Sequence, residues 1–306
     1  MGFLTRINYM RSAKYWLVFS LVLSLVSLGA LGFMGLNLGI DFTGGKMLDV
    51  QYKVDLTNAQ VEDAVHAVVG QNASVQEAQM KGGETGSEWF IRTPELSEAD
   101  RTKLLDELKK NGEYTIISED DVSGAVSSEL ATKAGIALAI AALLQIIYVW
   151  FRFEFKFGIT AVLALVHDLI ITLGLLALMR VQINSTFVAA ILTVLGYSMN
   201  DTIVVIDRIR ENLKFRKKGE TLEEMTTRSI QEVITRSLYT GVSVQAMLIS
   251  MLVFGGDTIW DFAMTLLIGV TAGTYSSIFI ASALWLFWHQ WEDQRKKKLS
   301  GKPSRA

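Results

Sequence analysis

The residues best placed to do chemistry in this chain lie in LGYSMNDTIVVIDRIREN (Leu195–Asn212), where Asn200 and Asp201 stand side by side in an apolar run. Residues 181–200 carry no formal charge, and Thr202 to Ile206 continue the run before Asp207 and Arg208 close it. An ionised carboxylate at such a place costs about 2.5–3.5 kcal/mol in hydrocarbon even on the mildest scales. A carboxylate that is neutral when protonated and needs a partner when ionised can switch helix packing as it loads and unloads an ion. Ser198, Asn200 and Thr202 add polar company to Asp201. His167 and Asp168 interrupt a second apolar run and can satisfy each other by a hydrogen bond. Arg236 opens a third. Such groups also serve structure alone, as buried hydrogen-bond partners or, for Gly196 and Ser198, as small residues that let helices approach. There is no cysteine, and no HExxH, GxSxG or Walker A pattern, so neither catalysis nor a cofactor or metal is expected.

These residues need elements that hold them in a bilayer. Half the residues (50%) are hydrophobic, only 2 are proline, and the mean hydropathy is +0.32. The apolar residues gather in blocks, and a crossing needs about 20 of them. Six stretches reach or approach that length: 15–40, 134–151, 157–179, 181–206, 237–256 and 262–288. Tyr148, Trp150 and Phe151 end the second as an interfacial aromatic belt would. The first follows Arg6, Arg11 and Lys14 and is too long for the apolar core of a cleavable signal, about 7–15 residues, so an uncleaved anchor is expected.

Lys and Arg concentrate before the first span, after the second, in 207–236 and in the tail from 289, while the short loops opposite hold only Arg180. The positive-inside rule places both termini in the cytoplasm. The expected organisation is a cytoplasmic tail (1–14), a first transmembrane helix (15–40), an extracytoplasmic domain (41–130), five further transmembrane helices (131–290) and a basic cytoplasmic tail (291–306). GETLEEMTTRSIQEVITR reads as an amphipathic helix over about 219–236, lying along the membrane surface before the fifth span.

Between the first two spans, residues 46–129 hold 8 basic and 17 acidic residues. Leu48, Val50, Tyr52 and Val54 alternate with Asp49, Gln51 and Lys53 at strand period. Thr57 and Gln60 form a capping box ahead of a helix with Val61, Ala64, Val65 and Val68 on one face, ended by Gly70. ASVQEAQM and SEWFIRT read as strands joined by KGGETG, Ser97 caps a second helix, and YTIIS is a last strand. The order βαββαβ is that of a ferredoxin-like domain. His66, on the first of these helices, has no partner at metal-ligand spacing and reads as a packed or solvated residue.

Depth separates the ionisable groups: at 1.5 Å per residue His167 and Asp168 lie about 15 Å into the third span, and Asp201 about 8 Å from the cytoplasmic end of the fourth. Arg236 stands at the matching depth of the fifth, so the fourth and fifth spans, if packed together, would pair it with Asp201.

IDFTGG (Ile40–Gly45), LVHDLIITLG (Leu165–Gly174), the Asp201 stretch, ITRSLYTG (Ile234–Gly241) and GVTAGTYSSIFIASALW in the sixth span together resemble the SecF family of bacterial protein-export membrane proteins, which is similar to the RND superfamily. That resemblance implies a six-helix inner-membrane subunit that works with SecD and the SecYEG channel, and with the YidC insertase, on a translocating polypeptide in the lipid bilayer, with no nucleic acid involved. It implies that export is driven by the proton motive force, or by sodium in some members, with Asp201 as the ion-responsive carboxylate and Arg236 as its basic partner. Ser198, Asn200, Thr202, Asp207, His167 and Asp168 would support them. No second half is present in these 306 residues, so one subunit is expected and not a fused form. IDFTGG would be a hinge, with Asp41 at the interface and Gly44 and Gly45 supplying backbone freedom. The competing readings are a small-molecule RND exporter subunit, whose outer domains are usually much larger, and a scaffold that transports nothing.

Overall fold

The computed structural model describes residues 7–70, 73–78 and 86–299. Six of its helices are long and apolar enough to cross a membrane. They are α1 (Ala13–Met34), α5 (Gly124–Arg152), α6 (Phe155–Leu178), α7 (Ser185–Lys214), α8 (Leu222–Phe254), and a composite of α9 (Asp257–Ser276), a π-helical turn (Ser277–Ala281) and α10 (Ser282–Leu299). The chain divides into two compact units, one carried by these helices and one comprising Leu38–Ala137 with Gln182–Ser185.

The second unit has the expected order, β2 (Gly45–Tyr52), α3 (Asn58–Val69), β3 (Ser74–Ala78), β4 (Ser87–Thr93), α4 (Glu98–Lys110) and β5 (Tyr114–Val122). All pairs are antiparallel and the sheet order is β3-β4-β2-β5, the ferredoxin-like arrangement. The period-2 pattern accounts for the core, since Leu48 faces Ile91 and Val50 faces Trp89 across β2 and β4. Val61 and Val65 of α3 and Leu104 and Leu108 of α4 close over them, each apolar side chain contributing about 1.5–3 kcal/mol. Tyr52 is buried because its hydroxyl donates to the Leu108 carbonyl at 3.0 Å. The Thr57–Gln60 capping box is present, and Ser97 accepts from the Asp100 N–H. Val54, expected on the core face, lies beyond the end of β2 and is exposed. His66 packs within the domain, 3.4 Å from the Ala73 carbonyl. Of the KGGETG turn, residues 81–85 lie outside the described residues, as do Gln79 and Met80, Arg6, and the tail from 300.

In the helical unit burial is unequal: 50% of the apolar window of α6 and 56% of that of α7 are buried, against 6% for α5 and 17% for α8. α6 and α7 are interior helices, and small residues set how closely others approach. A Cβ on Gly174 would stand 2.2 Å from the Ser27 Cβ of α1, and one on Gly273 2.9 Å from the Ser198 Cβ, as expected where van der Waals packing and not the hydrophobic effect joins helices.

Two expectations on boundaries are corrected. The first span does not run to residue 40 but ends at Met34, where Gly35 adopts φ +62° and stops the helix; Asn37–Leu38 is a short strand (β1) and Ile40–Thr43 a single turn (α2). The segment 219–236 is not a separate surface helix, because α8 runs unbroken from Leu222 to Phe254. The apolar stripe of that segment is covered by protein, with Met225, Ile230 and Ile234 buried, and Asn212 of α7 donates to Ser229 of α8 at 3.0 Å.

Candidate functional site

A polar cluster fills the interior where α1, α6, α7 and α9 meet. Asp168, on α6, has no exposed surface. Its Oδ1 accepts from His167 Nδ1 at 2.9 Å, and its Oδ2 accepts from the hydroxyls of Ser198 at 2.5 Å and Ser276 at 2.7 Å. The remaining nitrogen of His167 is hydrogen-bonded to Ser20 of α1, and the ring centroid of Tyr275 lies 6.0 Å from that of the imidazole. Four helices thus converge on the His167–Asp168 pair.

Asp201 is buried on α7, three residues and nearly one helical turn after Ser198, so both face the same interior. Its Oδ2 accepts from the Ser277 hydroxyl, its only hydrogen-bond donor among the described residues. Ser277 follows Ser276 directly, so adjacent serines at the start of the π-turn serve the two carboxylates. Turns of this type carry one extra residue and are frequent at functional sites. Nothing in the sequence marks Ser276 and Ser277 as partners of residues 108 and 76 positions away.

The other candidates separate. Asn200, one residue before Asp201, is about 100° round the helix and exposed. Thr202 is buried with its hydroxyl unpartnered among the described residues. Asp207 belongs to a different cluster, accepting from Arg210 at 2.5 Å with Arg152 3.8 Å away. Arg236 and Asp201 are not brought together. Arg236 is exposed on α8 and forms no hydrogen bond or ion pair among the described residues. α7 and α8 do meet nearby, but through Arg208 to Glu232 at 2.5 Å and Asn212 to Glu232 at 2.7 Å. The α8 residue that meets α7 here is Glu232, four positions nearer the helix start than Arg236, and its partners are Arg208 and Asn212, not Asp201.

In the sheet-containing unit, the IDFTGG residues form a fastened junction. Asp41 Oδ2 accepts from the backbone N–H of Ser185, the first residue of α7, at 2.6 Å. The Gly39 N–H donates to the Ile183 carbonyl at 2.8 Å, and Gln182 accepts from Arg92 of β4. Gly44 and Gly45 have φ of +73° and +121°, and a Cβ on Gly45 would meet the Thr93 carbonyl oxygen at 2.2 Å. Both glycines are required by backbone angle and the second also by close approach. The sequence marked Asp41 but not its partner, 144 residues away.

Residues 102–291 match the family model described as protein export membrane protein SecD/SecF, C-terminal, and residues 29–55 match the SecD/SecF GG motif. The chain is 35% identical over 301 residues to the protein translocase subunit SecF of Sebaldella termitidis, covering 98% of this chain and 97% of that one. It is 39% identical over 287 residues to that of Calditerrivibrio nitroreducens, covering 92% and 93%. Among solved structures it is similar to SecDF, a translocon-associated membrane protein from Thermus thermophilus, with 31% identity and a TM-score of 0.83. It is also similar to SecDF in a super-membrane-facing form, with 30% identity and a TM-score of 0.71. It covers 93% and 96% of its own length in these matches, but spans only 39% and 40% of the SecDF chains.

Proposed function

Because the chain belongs to the SecD/SecF family of protein-export membrane proteins, we propose that it assists polypeptide export across the bacterial cytoplasmic membrane, driven by ion flow that protonates or occupies Asp201. One observation carries this reading: a carboxylate inside a membrane helix is held by a single serine hydroxyl, with no cation paired to it among the described residues. Ionised, such a group is costly; neutralised by H⁺, or by Na⁺, it is not. Its charge state therefore biases how α7 packs on α9. Arg236, free of ion pairs among the described residues, is the guanidinium available to Asp201 or to a partner subunit when α8 is displaced.

SecDF relatives carry a second portion on the same chain, as in the Bacillus subtilis SecDF, of which this chain matches 38%. The corresponding partner here is a SecD portion, and the assembly acts beside SecYEG, and with YidC, on the emerging chain. Both termini lie in the cytoplasm and the acidic sheet domain on the far side. The helix that carries Asp201 begins at Ser185, whose N–H is held by Asp41 within the sheet-containing unit.

The test is transport-coupled ion flux in vesicles containing this chain and its SecD partner, with Asp201→Asn beside the parent. Asn keeps the shape and hydrogen bonding of a protonated Asp but cannot ionise. Loss of both flux and late-stage export in an intact complex is expected; normal export would leave only a scaffold.

A further inference from the structure

Asp168 is unused by the reading above, yet it is the more enclosed carboxylate. Three donors converge on its two oxygens, the acceptor complement of an ionised group. The only cation that can neutralise it within the cluster is His167 itself. Adding one proton makes the pair neutral, either as imidazolium with carboxylate or as imidazole with carboxylic acid, so the two residues together form a one-proton site. The titratable group facing it is Tyr275 from α9, 6.0 Å from the imidazole, and Asp201 follows on α7 nearly one turn after Ser198. α1 offers only the Ser20 hydroxyl at this level, since Lys14 and Tyr15 lie in its first turn.

The serines supply the link. Ser276 Oγ lies 2.7 Å from Asp168 Oδ2 and 3.3 Å from the Gly273 carbonyl, while Ser277 Oγ bonds Asp201 and lies 3.1 Å from the Thr274 carbonyl. Each hydroxyl thus has two acceptors, the carboxylate and its own helix, and can turn to the second when the first is neutralised. They stand on consecutive residues where α9 passes into the π-turn, and Ser282 Oγ donates to the Ser277 carbonyl at 3.3 Å. Conversion of that turn to regular helix would swing its residues by about 100°, so both carboxylates depend on the same local geometry. Ser198 ties them again, because it donates to Asp168 from the helix that bears Asp201.

We propose that the His167–Asp168 pair is a second proton-binding site and that Ser276 and Ser277 tie its occupancy to that of Asp201. Loading adds one H⁺ from water and removes one negative charge; unloading returns it, and only an N–H or O–H bond changes. The inference rests on the reading that Asp201 itself gains and loses a proton.

The experiment is a pH titration followed by infrared difference spectroscopy of the carboxyl and imidazole bands, on the full chain with its SecD partner in lipid. The parent should show two coupled steps. Asp168→Asn should remove one and shift the midpoint of the Asp201 step by about 1 pH unit or more, the scale at which two sites titrate as a pair. The double variant Ser276→Ala, Ser277→Ala keeps both acids and should bring the steps closer to independence; it also serves if Asp168→Asn does not assemble. An Asp201 step left in place by both variants overturns the coupling. An absent Asp168 step with the Asp201 step intact overturns the second site alone, whereas an absent Asp201 step removes the ion-coupling reading and the link built on it.

Discussion

In the sheet domain Tyr52, Trp89, Leu104 and Leu108 have no exposed surface, while in the helical unit Phe33, Phe151 and Phe254 are 95%, 87% and 84% exposed and Asp168, Ser276 and Ser277 are fully buried. The first pattern is sorting by water: apolar side chains leave it and most charges stay at the rim, Asp49 and Arg92 being buried exceptions. The second belongs to a chain whose apolar surface needs no shelter, so that its interior is assembled from small and hydroxylated residues. The lesson concerns what a substitution can break. The sheet domain should respond to lost volume, the helical unit to a neutralised carboxylate, a lost hydroxyl or an added methyl group.

The largest effect tests the helical side. Asp201→Asn changes no volume, and we expect complete loss of ion-coupled export with normal assembly, measured as late-stage translocation and recovery of the complex. In the sheet domain the same isosteric logic should be nearly silent, and volume should matter instead. Trp89→Ala empties the centre of the core and should cost about 3–5 kcal/mol, read by pulse proteolysis of the full chain in membranes with the helices still inserted. A comparable change in Tm on the helical side alone would break the contrast.

Gly174→Ala sharpens it from the other direction. The new Cβ would lie 2.2 Å from the Ser27 Cβ and 2.4 Å from its Cα, so α1 and α6 must separate, at about 1–3 kcal/mol. Lower thermal stability of the solubilised chain is expected, with partial rescue by Ser27→Gly.

The smallest effect is Glu119→Gln. Arg101 Nε and Nη2 hold the Glu119 carboxylate at 2.8 and 2.6 Å, and this pairing draws its pKa below the ordinary glutamate range. A depressed carboxylate contributes stability that is present above the unfolded-state pKa and disappears as pH falls through the lower folded-state value. The pair is partly exposed and worth up to about 1 kcal/mol. The parent should thus lose its small advantage over Glu119→Gln on acidification, in proteolytic stability measured across that range. An advantage independent of pH would deny the ion pair its role.

Much of this was legible from local pattern. Long, predominantly apolar stretches located six membrane helices, strand and helix periods with their caps produced the βαββαβ order, and the cost of a buried charge singled out Asp201, His167 and Asp168. Each of these signals is carried by residues a few positions apart. The continuity of α8 was not legible, because a mixed apolar and charged stripe reads the same whether lipid or protein covers it. Nor was the outward aim of Asn200, which depends on where the interior lies around α7.

By itself the sequence determined that the chain spans a membrane, that it carries a ferredoxin-like domain, and which side chains cannot remain charged without a partner. Tertiary structure alone decided the distant partners: Ser277 and not Arg236 for Asp201, Ser198 and Ser276 for Asp168, and the Ser185 N–H for Asp41. The reason is physical. Burial cost and periodicity are properties of neighbouring residues, whereas a hydrogen bond across helices is set by how close two backbones come, and that is fixed by small residues such as Gly174 and Gly273 far away in the chain.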